Sequence, residues 1–266
     1  MHLKKIKYIM YSEKAQNSDN HTNINDNIIK KVPKKIEEFN FYDCELNSFS
    51  YKEALLYDNR TYIQYYISLL KIKHPIIFSF IPVKDYNTII IKISLFLLSI
   101  SIYFGINTLF FNNSLIHKIY EDKGVYNVSY QMPKIIISFF ISHLIYSIVK
   151  YLSLSEREIL KIKCEIKLEN AYDKVDQVKK CLIIKYSIFY VLGFVFLIFF
   201  WYYLSSFCAV YKNSQIFVIL NTIISFGLSF IYPFLINLLP VTMRITSLKK
   251  KKNECLFNIS KILQLI

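Results

Sequence analysis

Four stretches of the chain stay apolar for twenty residues or more, at 88–111, 135–154, 187–210 and 216–239. A helix rises about 1.5 Å per residue and the hydrocarbon core of a bilayer is about 30 Å thick, so about 20 residues suffice to cross it. Each run has that length, and the third and fourth carry no charge. A soluble fold would have to bury two 24-residue apolar helices completely within 266 residues. The pattern instead predicts an all-α integral membrane protein with four transmembrane helices. Between the last two runs lie Tyr211, Lys212, Asn213, Ser214 and Gln215. In lipid every backbone donor has to be paired within its own helix, so this polar interruption reads as the turn of a tight helical hairpin. Spans three and four are expected to form the rigid core.

The polar stretches organise the rest. Residues 1–40, with QNSDNHTNINDN at 16–27, have too little apolar surface to offset chain entropy and read as disordered. The segment 41–87 is juxtamembrane. Within it Tyr62, Tyr66, Leu69 and Leu70 sit at helical spacing, with Ile63 and Ile67 beside them, and Pro75 stops the helix. Such a helix suits a membrane surface, or equally a soluble amphipathic role. The run IIFSFIPV that follows is too short to span. Between spans two and three, Ser153 or Ser155 with Glu156 or Glu158 matches a capping box. Beyond it Leu168, Ala171, Val175, Val178 and Leu182 keep heptad-like spacing. This predicts a cytoplasmic helix leading into span three, either solvated or self-associating as a coiled coil.

Charge placement gives the sidedness. Of 33 Lys and Arg, 28 lie before residue 88, in 150–186, or in 241–266, which a four-span chain puts on one face. By the positive-inside bias that face is the cytoplasm, with both termini inside and 88–266 as the membrane module with its basic tail. Sequons at Asn112 and Asn127 fall in the outer loop, although Asn20, in an inner region, carries one as well.

Most chemistry is disfavoured. The five cysteines form no CxxC pair, so neither a disulfide framework nor a zinc site is expected. Four scattered glycines exclude a phosphate-cradling loop, and there is no GxSxG elbow. All 19 carboxylates lie outside the four runs, against proton-coupled transport and intramembrane aspartyl proteolysis. The stretch HKIYED has the His117/Asp122 spacing of an acyltransferase motif but no glycine-rich companion, and reads as a charged outer turn. No catalytic residue, cofactor or metal is therefore expected.

What remains are polar residues within the runs. His143 lies deep in the second, as a functional group or as a neutral histidine hydrogen-bonded to a neighbouring serine or carbonyl. Lys92, one turn inside the first run, is placed to snorkel, and Lys150 lies within the second. Ser205 and Asn221 lie at similar depth on either side of the turn, where a bond between them would contribute about 0.6–2 kcal/mol. The pairs Ser205/Ala209 and Ser225/Ser229 offer small faces for helix packing. Pro233 frees the Ser229 carbonyl and predicts a kink. Lys249, Lys250, Lys251 and Lys252 form a patch for lipid headgroups, with Cys255 beside it as a candidate for palmitoylation. The patch sits against a bilayer and lacks an aromatic platform, so nucleic acid is not an expected partner. The bilayer is, as are other membrane proteins or a second copy of the chain. In a rival reading His143, Asn107, Asn221 and Asn237 face a polar path through a channel or transporter subunit.

The blocks YKEALLYDNRTYIQYYISLLKIKHPIIFSF, IHKIYEDKGVYNVSYQMPKIIIS, YLSLSEREILKIK and FFWYYLSSFCAVYKNSQ, with SFGLSFIYPFLINLLP after them, carry a resemblance over 48–266. They resemble a recurrent carboxy-terminal membrane module of large protist surface proteins of the ciliate type. The resemblance implies anchoring and transfers no catalytic residue. This chain departs from the pattern in having no large ectodomain before the module.

Overall fold

The computed structural model describes residues 41–163, 168–251 and 253–264, so the N-terminal stretch read as disordered lies outside the described residues. What is described is helical, with no strand. Four helical stretches are long and apolar enough to cross a membrane: Ile89–Leu109, Val128–Ser153, Lys174–Val210 and Lys212–Lys249.

The first helices are short. α1 (Asp43–Ser48), α2 (Tyr51–Tyr57), α3 (Tyr62–Lys73) and α4 (Pro75–Phe80) precede the first span. Two begin with reciprocal caps: Ser50 with Glu53, and Thr61 with Gln64, each pair bonding the other's backbone N–H. α3 ends at His74, as Pro75 requires, and α4 starts with that proline at its first position. α3 does not present a single apolar side. Tyr65, Ser68, Leu69 and Leu70 are buried, Tyr65 and Leu69 against Val241, while Ile63 and Ile67 stay exposed.

Span one is α5 (Ile89–Leu109), followed by the outer helix α6 (Asn113–Glu121). Span two is α7 (Val128–Ser153), which starts seven residues before the apolar run and carries Pro133 in its second turn. A short α8 (Glu156–Lys163) follows, then α9 (Leu168–Val210), one uninterrupted 43-residue helix. At about 1.5 Å per residue α9 is about 64 Å long, twice what a bilayer needs. The expected lead-in to span three is thus part of the same rod. Of the heptad positions, Val175 is 43% exposed. Ser155 does not cap α8 through its hydroxyl, which donates to the Tyr86 carbonyl at 2.8 Å.

A 3-10 turn, Lys212–Ser214, joins α9 to α10 (Gln215–Ile236). The turn is tight: Gln215 Nε2 donates to the Cys208 carbonyl at 2.9 Å. The two helices do not form a core of their own, however. Each lies on spans one and two, and they meet mainly near the turn, where Phe207, Phe217 and Val218 join Phe111, Leu115 and Ile119. Span one is the centre of the bundle: 56% of its apolar window is buried, against 11% for span three. Gly105 lets span three approach it, since a Cβ there would lie 2.1 Å from the Phe200 ring.

Span four breaks at Asn237 rather than at Pro233 and resumes as α11 (Leu238–Ile245). Pro240 accounts for the position: it has no N–H for the Ile236 carbonyl, and its ring clashes with that group. A π turn (Thr246–Lys251) then reverses the chain into α12 (Glu254–Leu263), which packs back along α11. Residues 41–81 and 238–264 together build a helical cap at one end of the bundle, where Lys261 reaches the Ser48 and Phe49 carbonyls.

Candidate functional site: a polar seam and a charged latch

The α3–α4 corner leans into the bundle. His74 packs on Phe230 at 5.8 Å and on Phe234 at 5.3 Å. Phe230 precedes the break at Asn237 by seven residues, about 10 Å along the helix. A bent backbone in this position has to be satisfied from within the protein. Lys150 Nζ donates to the Ile72 carbonyl at 2.7 Å, and His74 Nδ1 accepts from the Ile77 N–H at 3.4 Å.

Spans one, two and four share a line of polar side chains. Asn221 on span four accepts from the Tyr126 hydroxyl and donates to Gln131 Oε1 at 3.1 Å. One turn further along, Asn107 on span one donates to Ser225 Oγ at 2.7 Å and to the Tyr103 carbonyl at 2.8 Å. Its Oδ1 accepts from Ser138 on span two at 2.7 Å. Asn107 thus ties three spans together with one amide. Ser225 and Ser229 are buried along the same face of span four.

Ser205 and Asn221 do not meet, contrary to the expected bond. Ser205 donates to the Tyr202 carbonyl of its own helix on an exposed surface, and Ala209 is exposed too. The reason is rotational: span three turns Phe200 and Phe207 inward, which leaves the stripe through Ser205 and Ala209 facing out. His143 is packed against Phe139, Tyr146 and Tyr232, and among the described residues its ring makes no hydrogen bond to a serine or carbonyl. Asn237 is fully buried with both amide atoms unpartnered among the described residues. Lys249 is exposed, Lys250 and Lys251 belong to the π turn, and Lys252 lies outside the described residues. His117 faces Glu121 at 3.4 Å on the surface of α6, while Asp122 pairs with Lys118 at 3.5 Å, so the His117/Asp122 couple disfavoured from the sequence is not formed.

The second constellation lies in the cap. Asp58 sits between two arginines: Arg60 Nε at 2.7 Å and Nη2 at 2.9 Å on one side, Arg244 Nη2 at 2.8 Å on the other. Arg244 also donates to the Leu46 carbonyl at 2.8 Å and lies over the rings of Tyr65 and Phe257. Burial alone would push the Asp58 carboxyl up, but the hydrogen bonds and charge of Arg60, then Arg244, hold it below the usual carboxylate range. Burial pushes the Tyr65 hydroxyl up to about 12.

Lysines near the ends of the spans are handled in two ways. Lys92 pairs with Asp85 at 2.7 Å, and Lys185 with Glu158 at 3.2 Å. Lys92 is therefore neutralised by a loop carboxylate rather than extended toward water. Lys150 and Lys73 contact no carboxylate among the described residues; their ammonium groups donate to the Ile72 and Leu263 carbonyls. No metal-holding group of His, Cys, Asp or Glu is present among the described residues. No protein-family model matches the chain, and no curated protein or solved structure matches it either.

Proposed function

We propose that this is a multi-pass membrane protein that works as a non-enzymatic anchor or assembly module, with its cap and both termini in the cytoplasm. The observation that carries this reading is the spending of intramembrane polar groups on each other. Asn107, Ser138 and Ser225 are bonded across three spans, and Asn221 and Gln131 across two, which serves cohesion rather than passage. The long α9 would carry partners away from the membrane surface, and the exposed apolar side of span three would meet lipid or another membrane protein. The resemblance to a carboxy-terminal anchoring module of large protist surface proteins agrees with this role. Purified protein reconstituted in sealed vesicles is expected to show no steady conductance or solute uptake. Conductance abolished by His143→Ala would overturn the anchor.

A channel or transporter subunit is the second reading. It is favoured by one observation, that Asn107 and Asn221 lie on one seam and His143 on the same span as their partners Gln131 and Ser138.

A further inference from the structure

Where the α3–α4 corner meets the bundle there is a recess with room for a single water-sized occupant, lined by Lys73, Ser99, Tyr103, His143, Tyr146 and Ser229 among others. Its polar groups are unequal. The Ser99 and Ser229 hydroxyls donate to the Phe96 and Phe226 carbonyls in their own helices. The Tyr103 hydroxyl is buried beside the Ser229 side chain and makes no well-formed hydrogen bond among the described residues, so its proton can turn to an occupant. The neutral imidazole of His143 offers one N–H. Lys73 supplies an ammonium whose three protons have a single carbonyl partner at 3.4 Å. Lys150 lies close behind, its ammonium 5.8 Å from the centre of the Tyr146 ring that forms one wall.

The set is rich in donors and positive charge, and no carboxylate lines it. A cation would find little to bind. A water molecule would engage Tyr103 but leave the Lys73 ammonium without a counter-charge, which is costly away from solvent. Lys92 and Lys185 have carboxylate partners and Lys150 lies in the field of Glu156, so Lys73 is the lysine here left without one among the described residues. We propose that the recess binds a small inorganic anion of the halide class, held by Lys73, Tyr103 and His143. The site stands independently of whether the protein anchors or conducts.

The test is thermal unfolding of the full chain in detergent, in chloride or bromide against gluconate at equal ionic strength. A saturable rise in melting temperature with halide is expected, and Tyr103→Phe and Lys73→Met should each remove most of it. Tyr103→Phe keeps the ring and so preserves the packing. Crystals of the unaltered protein grown in bromide supply a second readout, an anomalous peak in the recess. Equal melting temperatures in halide and gluconate, a halide effect untouched by both substitutions, or a recess holding only water beside bromide-free density would each overturn the proposal.

Discussion

The membrane seam and the cap latch solve the same problem with different chemistry. Both join segments remote in sequence through buried polar side chains. In the seam the groups are amides and hydroxyls: Asn107, Ser138, Ser225, Asn221 and Gln131. In the latch they are ions: Asp58 between Arg60 and Arg244. The surroundings explain the difference. A charge that loses its partner inside a bilayer is expensive to hold, whereas a neutral amide can fall back on a carbonyl of its own helix. Beside water the same charges can be solvated if the latch opens, so ion pairs are tolerable there.

The largest effect is expected from Asp58→Ala. It leaves the buried Arg244 guanidinium without a counter-ion and Arg60 with only Asp43 at 3.7 Å, and loss of one partner from a buried pair costs about 3–5 kcal/mol. Limited proteolysis should then cut the cap while the spans stay protected. The latch should also fail in acid, with the seam unaffected. Because the folded-state value of Asp58 lies below its unfolded one, its contribution is complete above about pH 4 and is lost as the pH falls through the folded value. Cap release that follows no such acid limb would break the comparison. Next comes Gly105→Val, which drives a side chain into Phe200; overpacking of this kind costs about 1–3 kcal/mol, read as unfolding in detergent. Gly227→Val, with open space around it, is the matched control. Asn107→Ala removes the bonds to Ser138 and Ser225 and should cost about 1–3 kcal/mol with no change in pH dependence. Ser205→Ala on the outward stripe should stay within about 0.5 kcal/mol. An effect there as large as that of Asn107→Ala would show that span three is partnered after all.

The four spans were legible because hydrocarbon thickness imposes a length that no soluble helix pattern imitates. Their packing was not. Ser205 and Ala209 have the residue types of an interface, yet side-chain type does not say which way a lipid-facing helix is rotated, since every face of it is apolar. Asn107 and Asn221 were recognisable as polar intruders, but their partners Ser138 and Gln131 were overlooked. The signal was present: Gln131, Ser138 and Ser142 recur at seven and four residues on one face of span two, and all are buried. The latch left no local trace. Asp58 and Arg244 are 186 residues apart, and each alone reads as an ordinary juxtamembrane charge. The break at Asn237 was not among the expectations, although Pro240, whose ring acts on the carbonyl four residues before it, was there to be read.

The seam has a consequence for how the chain is made. Asn107 and Ser138 enter the bilayer with the first two spans, while Ser225 is synthesised 118 residues after Asn107. Until the last span is inserted, the central amide lacks one of its three final partners, and Arg244 has not yet arrived to join Asp58. A nascent chain halted after the third span therefore carries an open polar groove in its membrane part and, beneath it, an Asp58 held by Arg60 alone. Quality control that surveys the bilayer for exposed amides has a defined interval in which to act on this protein, and the fourth span closes it.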